Sequence, residues 1–514
     1  MGTTDPEDAI PGREQDHPQS IWERRFSRRR FLQGAAVAAS TAAFSTIPGS
    51  GAIAALIPNQ KTAPWAPGRV HNLLPAGYLH TRGADIVGSN GAVVRFAGVN
   101  WFGFESEAFV AGGLDVRTLD QICASIVELG FNMIRLPFSV EMVERNPRIT
   151  RFVGAQPGLA GMRALEIMDA LVASAGKHGL KVVLDNHRSN AGWSAQGDGL
   201  WYTSGYSERA WLDSWLTLVR RYRGNDTVIG CDLRNEPATP PDNLGDYFRD
   251  GGSLWGYNGW FPFTGKPRDW AAAAERCGNA LLAINPRLLM CVEGVAWDPA
   301  GPDVGPIPIP YWAGGNLTGV GKAGGGRTRP RPIRFHVPNQ LVYAPHDYGP
   351  EMSHWAPWLS TNGSASIRSS CRAVWDSSWG YIAKEGIAPV WLGEFGTSNR
   401  YRKSSPEYFA NVNPHNVQGC WFSYLVEYLE EIGASWSIWA LNGTNSLNPH
   451  SRPSEPQSYG VLAPDWKTAA SIPMMAKLST IQGPPHRQKA GPPLRFPAFL
   501  EQSPARALSR FLLG

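Results

Sequence analysis

Cysteine is scarce in this chain and badly spaced for metal chemistry. Its six cysteines (Cys123, Cys231, Cys277, Cys291, Cys371, Cys420) stand among 514 residues with no Cys-x-x-Cys and no Cys/His ligand spacing, which argues against structural zinc. Charged residues are few as well, at 18%, and no apolar run makes a good spanning helix. No glycine-rich phosphate loop follows any apolar run, which disfavours a doubly wound, nucleotide-binding sheet. Basic charge is missing where a nucleic-acid partner would need it. Of the net +5, the stretch 321–334 supplies Lys322, Arg327, Arg329, Arg331 and Arg334 without an acid, and the tail from 481 supplies five bases against Glu501 alone. The remainder is close to −4, so a neutral substrate suits the folded domain better than nucleic acid.

The chain is long and apolar enough, at 43% hydrophobic, to bury one large core, and Gly 56 with Pro 42 fits a loop-rich enzyme. Its 21 tryptophans are many. Most should fill the core, but some should lie half exposed as flat platforms of the kind sugar rings stack on. Cys231 and Cys291 fall within expected strands and read as buried thiols. The even cysteine count would still permit disulfides in an exported protein.

Residues 1–55 form a polar leader followed by Ser27-Arg-Arg-Arg-Phe-Leu-Gln33, an Ala-rich run and the small-residue triplet Ala52-Ile-Ala54. The arrangement resembles a twin-arginine signal peptide, which implies the twin-arginine export machinery as a partner and a periplasmic or extracellular location. The mature chain is expected to have no stable membrane span. Residues 70–481 read as one catalytic domain and 482–514 as a Pro-rich basic extension.

Inside that domain short apolar runs alternate with amphipathic helical patterns. After a hairpin (Leu79 to Val87, then Ala92 to Phe96), strands are expected at Phe96–Trp101, Asn132–Pro137, Lys181–His187, Val228 to about Glu236, Leu288–Glu293, Gln340–His346, Ala388–Thr397 and Ser435–Trp439. The intervening helices fall near 116–129, 162–178, 208–222, 270–284, 373–385, 421–432 and, last, 467–478. Eight such alternations predict a (β/α)8 TIM barrel with an N-terminal hairpin and long loops on the catalytic face. The Gly/Pro/Arg-rich interval 299–339 is one of those loops.

Two strands end on glutamates: Asn235-Glu-Pro237, where proline biases the preceding residue toward extended backbone, and Gly393-Glu-Phe-Gly396. Strand C-terminal ends are where barrels build catalysis, so Glu236 and Glu394 read as paired carboxylates. The other strand ends carry Asn100 and Trp101, Arg135, His187, Asn235, His346 with Tyr348, and Trp439. A metal site from His187 and His346 with Asp185 or Asp347 is a minor alternative.

These residues, with Gly98-Val-Asn-Trp-Phe-Gly-Phe104, Ile134-Arg-Leu-Pro-Phe138, His346-Asp-Tyr-Gly349 and Trp391-Leu-Gly-Glu-Phe-Gly396, resemble glycoside hydrolase family five, the cellulase family, in its bacterial endoglucanase branch. The resemblance runs from about Gly77 to Leu478. It implies a cofactor-free, metal-free retaining glycosidase, most simply an endo-β-1,4-glucanase acting on β-glucan, with Glu236 as acid/base and Glu394 as nucleophile. It further implies that Asn235 meets the sugar 2-hydroxyl, that Asn100, Trp101, Arg135, His187, His346 and Tyr348 serve the same site, and that Trp312 and Trp439 contact substrate. Proximity of the two carboxylates is expected to hold a proton on Glu236. The sequence departs from the branch at Ala238 and Ala313, where histidine and a second tryptophan are usual. Both departures touch substrate platforms, which leaves mannan, mixed-linkage glucan and glycolipid sugars as alternative substrates. A non-catalytic glycan-binding barrel would be expected to lack one of the glutamates.

Overall fold

The structure is a computed structural model that describes residues 72–193, 196–238, 252–256, 268–296, 311–322, 329–353, 356–359, 364–399, 416–448, 451–452 and 454–485. The arginine motif, the cleavage triplet, most of the stretch between Ala238 and Arg268 and nearly all of the C-terminal extension lie outside these residues.

Eight parallel strands form the sheet: β1 (Ala97–Asn100), β2 (Met133–Ser139), β3 (Lys181–Arg188), β4 (Val228–Asp232), β5 (Leu289–Val292), β6 (Leu341–Tyr343), β7 (Trp391–Phe395) and β8 (Ser435–Ile438). Their spatial order is β7-β8-β1-β2-β3-β4-β5-β6. Single parallel bridges, Tyr343 to Val390 and His346 to Glu394, then link β6 to β7 and turn the sheet into a barrel. The second of these bridges sets one glutamate beside a histidine before any side chain is considered.

Alternation along the strands sorts side chains into two cores. Met133, Val183, Leu289, Cys291, Val342 and Trp391 fill the barrel's interior together with Leu79, Ile86 and Phe96 from the N-terminal segment. Their neighbours Ile134, Val182, Leu184, Met290, Val292 and Leu392 join the cluster between sheet and helices. Apolar packing therefore occupies the lower layers of the barrel, and the polar residues near the strand C-termini are left to fill its mouth.

The N-terminal segment differs from the expected single hairpin. His80–Arg82 and Asp85–Val87 pair with each other, and Val93–Val94 adds to the second, making three strands. Gly83 at φ +57 turns the chain inside what reads from sequence as one continuous arm.

The longer helices among the described residues are α1 (Leu119–Glu128), α2 (Val140–Arg145), α3 (Ala164–Lys177), α4 (Glu208–Arg221), α5 (Trp270–Leu282), α6 (Ser364–Trp375), α7 (Val417–Ile432) and α8 (Ile472–Leu478). Sequence periodicity misses α2, a short turn capped by Ser139. It also starts α6 too late: this helix runs on from Ser364 through a widened π-type stretch over 376–380 to Lys384. It starts α8 too early, because Ser471 caps the helix and Pro473 stands in its first turn. None of the described helices is long and apolar enough to cross a membrane.

All six cysteines are buried, and Cys123, Cys231, Cys277, Cys291 and Cys371 are free thiols, as the strand positions of Cys231 and Cys291 imply. Burial pushes the Cys123 thiol up to about 12, so it behaves as an inert apolar group.

Candidate active site

Arg135 is the hub of the barrel mouth. Fully buried on β2, it donates through Nε to Asp232 Oδ2 at 2.8 Å and through Nη1 to Glu394 Oε1 at 2.6 Å and Asn100 Oδ1 at 3.0 Å. Through Nη2 it donates to Asn235 Oδ1 at 2.9 Å and Glu293 Oε1 at 3.1 Å, and it lies 3.1 Å from Asp185 Oδ1. Four acids from four strands converge on one planar cation, a geometry lysine could not supply.

Glu394, within β7, takes a second hydrogen bond from the Tyr348 hydroxyl at 3.1 Å. Both carboxylate oxygens are thus held by donors.

Glu236 stands four residues beyond the end of β4, in the left-handed region at φ +50. The approach to it is anchored from outside: Trp211 and Trp215 on α4 both donate indole N–H groups, at 3.1 Å, to the carbonyl of Leu233. The Asn235 N–H goes to the Asn186 carbonyl at 3.0 Å, and the Glu236 N–H to Glu293 Oε2 at 2.7 Å. On the carboxyl, Oε1 accepts the Trp312 indole N–H at 2.7 Å and lies 3.2 Å from His346 Nδ1. One carboxylate oxygen of Glu236 and one of Glu394 are within 4.8 Å of each other.

Charge in this mouth follows from crowding five acids around two cations. Burial raises Asp185 to about 6 and Asp232 to about 7, and it carries Glu293 well above the carboxylate range. Burial pulls the His346 imidazole down, yet the surrounding Glu293, Glu394 and Glu236 outweigh it and leave His346 well above its ordinary value. Burial also acts to raise Glu236, but the hydrogen bond and charge of His346 and the Trp312 N–H win, so the net direction is down. The expectation that repulsion from Glu394 keeps a proton on Glu236 is therefore corrected in direction: His346 and the Trp312 N–H hold Glu236 down, while burial holds Glu293 up and the surrounding acids hold His346 up.

His187 is neutral, because burial pushes its imidazole down to about 3. Its Nδ1 meets Asp185 Oδ2 at 2.7 Å, so it donates there and leaves Nε2 as an acceptor. Its ring lies 5.4 Å from that of Trp439 with planes 17° apart, and Phe102 lies 5.5 Å from Trp439 at 15°. Trp193, Trp312 and Trp439 are the half-buried tryptophans among the described residues. Two of the three belong to this site.

Four residues read as substrate-binding, Asn100, Trp101, Arg135 and His346, are fully buried and not available to a substrate. Trp101 is fully buried with its indole N–H on the Gly112 carbonyl at 3.0 Å. Asn100 is also fully buried, and its amide bridges Arg135 to the carbonyls of Gly393 and Ile438. Asn235 differs: its oxygen is taken by Arg135, while no hydrogen bond among the described residues takes its amide nitrogen. The metal alternative fares poorly on geometry. Asp347 turns outward to the indoles of Trp375 and Trp421, and Asp185 is engaged by His187 and Arg135. Among the described residues two groups have a spacing that could hold an ion, Asp232/Glu293/His346 and Glu236/His346/Glu394, but in each the acids already face the Arg135 guanidinium or the His346 ring.

Sequence reading gave no role to Asp232 or Glu293, and saw Asp185 only as a metal ligand. Glu293 at a strand end was the one available signal.

A (β/α)8 barrel carrying two opposed glutamates at its mouth, with half-buried tryptophans beside them, defines a glycoside hydrolase of the barrel type. The comparisons make this specific. The model of the cellulase family, glycosyl hydrolase family 5, matches residues 87–445, and the chain belongs to that family. It is 36% identical over 394 residues to an endoglucanase from Paenibacillus polymyxa, covering 76% of this chain and 84% of that one. It is 29% identical over 408 residues to the major extracellular endoglucanase of Xanthomonas campestris pv. campestris, covering 79% and 71%. Among solved structures, an endocellulase from Pyrococcus horikoshii, in a cellotetraose complex, is similar with a TM-score of 0.64 and 29% identity over 79% of this chain and 98% of that one.

Proposed function

We propose that the protein is an exported endo-β-1,4-glucanase that cleaves β-glucan with retention of configuration through a covalent intermediate on Glu394. The observation that carries this reading is the approach of Glu236 and Glu394 oxygens to within 4.8 Å. Carboxyls about 5 Å apart leave no room for the water that an inverting enzyme places between base and sugar. Glu394, fixed by Arg135 and Tyr348, attacks the anomeric carbon while Glu236 protonates the departing glycosidic oxygen. The proton Glu236 needs is one contact away on His346 Nδ1, at 3.2 Å. Glu236 then deprotonates the water that releases the sugar. Asn235, with its amide nitrogen unengaged, suits the sugar 2-hydroxyl, and His187 Nε2 can accept from a neighbouring hydroxyl.

The glucan assignment draws on the names of the relatives, endoglucanase and endocellulase. Export through the twin-arginine route draws on Ser27–Gln33 alone. Arg28→Lys with Arg29→Lys should leave the protein in the cytoplasm, and unchanged export of that double mutant would dismiss the route.

For the chemistry, Glu394→Gln should turn over neither glucan nor activated aryl glycosides. Glu236→Ala should still glycosylate Glu394 from a dinitrophenyl glycoside, give a burst, and turn over faster with azide, which attacks without needing a base. An active Glu394→Gln, or an inverted first product by NMR, would overturn the mechanism. Viscosity loss against reducing-end release on carboxymethyl cellulose, mannan and mixed-linkage glucan tests substrate and endo action together.

A further inference from the structure

Glu293 follows directly on β5, is fully buried, and divides its two oxygens between different partners. Oε2 accepts the backbone N–H of Glu236 at 2.7 Å. Oε1 lies 3.1 Å from Arg135 Nη2 and 3.2 Å from His346 Nε2. The opposite nitrogen of the same ring, Nδ1, is 3.2 Å from Glu236 Oε1. One side chain therefore reaches Glu236 twice, once at its main chain and once, through a single ring, at its carboxyl.

The main-chain contact matters because Glu236 is a non-glycine residue at φ +50, a conformation that persists only where neighbours impose it. Room for the contact is built in. A Cβ on Gly314 would come within 2.1 Å of Glu293 Oε2, so only glycine fits there without displacing the carboxylate. The ring contact matters because an imidazole with carboxylate oxygens beside both nitrogens is favoured in its doubly protonated form.

We propose that Glu293 is a positioning residue for the reaction, holding the Glu236 main chain through Oε2 and, through His346, setting the pH at which the His346–Glu236 pair loses the proton it passes to the substrate. This rests on the reading of Glu236 as acid/base given above. The titratable and charged groups facing Glu293 and His346 are Arg135 on β2, Asp185 on β3, Asp232 on β4, Arg234 and Glu236 beyond it, Cys291 on β5 and Glu394 in β7. The substitutions below leave all of these in place.

Two variants separate the two contacts. Glu293→Gln keeps an oxygen for the Glu236 N–H but can carry no negative charge. His346 then holds its second proton less firmly, and the proton it shares with Glu236 is lost at lower pH. The alkaline limb of the kcat/KM profile should move down by about one pH unit. Glu293→Asp keeps the charge but falls one methylene short of the main chain. Its alkaline limb should stay where the wild type has it, while kcat drops on the order of a hundredfold as the acid loses its alignment. An unmoved limb in Glu293→Gln, or wild-type kcat in Glu293→Asp, overturns the proposal. Should Glu293→Gln fail to fold, as a melting curve would reveal, Glu293→Asp decides alone. Glu394→Gln run beside them keeps the failures apart: if it is active, the two-glutamate reading fails; if it is inactive while the Glu293→Gln limb is unmoved, only the role of Glu293 falls.

Discussion

Replacing Trp312 with phenylalanine isolates one hydrogen bond from one aromatic surface. The indole N–H donates to Glu236 Oε1 at 2.7 Å, while the ring lies 4.6 Å from that of Tyr348. Phenylalanine keeps the ring contact and loses the donor. A hydrogen bond to an ionised group contributes about 1.5–3 kcal/mol, and since it serves the ionised form, that corresponds to about 1–2 units of pKa at 1.36 kcal/mol each. Trp312 is half-buried, so water can take over part of the donor's work, and the lower end, about one unit, is the expected shift. The sign is fixed by the direction in the folded protein. Trp312 is among the groups that lower Glu236, so its loss lets Glu236 rise and remain protonated to higher pH. The alkaline limb of kcat/KM should therefore move up by about one unit in Trp312→Phe. Arg135 and Tyr348, which fix Glu394, are untouched by this substitution. Initial rates on an aryl cellobioside from pH 4 to 10 measure both limbs. If neither limb moves and only KM rises, Trp312 is a substrate platform and its bond to Glu236 has no influence on the proton. A downward shift would refute the electrostatic reasoning outright.

Trp439→Ala should lower kcat/KM strongly while costing only about 1–2 kcal/mol in denaturant titration, since the ring is half-buried and loses two stacked neighbours, Phe102 and His187. Activity near wild type would assign it to packing alone. Glu105 is held up at about 8 by burial, with the Gly103 N–H acting against this. The folded state therefore keeps a proton that the unfolded chain releases near 4.5, and stability from this group is full below about 4.5 and lost as pH rises toward 8, with a ceiling of roughly 5 kcal/mol. Glu105→Gln should flatten that decline, read as a Tm difference from wild type that changes between pH 5 and 8; parallel Tm curves would show the group to be uncoupled from folding.

What was legible in the sequence is what local rules govern. Runs such as Lys181–Val-Val-Leu and Leu289–Met-Cys-Val are too short for helices and too apolar for loops, and their alternation with amphipathic segments specifies a parallel barrel because each parallel strand needs a crossover. That fold in turn marks strand C-termini as the catalytic face, which is why Glu236 and Glu394 could be picked out. Tertiary structure decided who meets whom. Asn100 pairs with Arg135 across β1 and β2, and strand register brings Asp185, Asp232, Glu293 and Glu394 to the same guanidinium from positions far apart in the chain. No local pattern encodes that convergence. The same cause separates Trp101 from Trp439. Both follow the last residue of a strand, yet one donates into the Gly112 loop and is sealed, while the other stays half-buried between Phe102 and His187. Burial, unlike strand position, is set by which loop folds over a residue. It also decided where the protons lie, because desolvation depends on the whole of the surrounding protein.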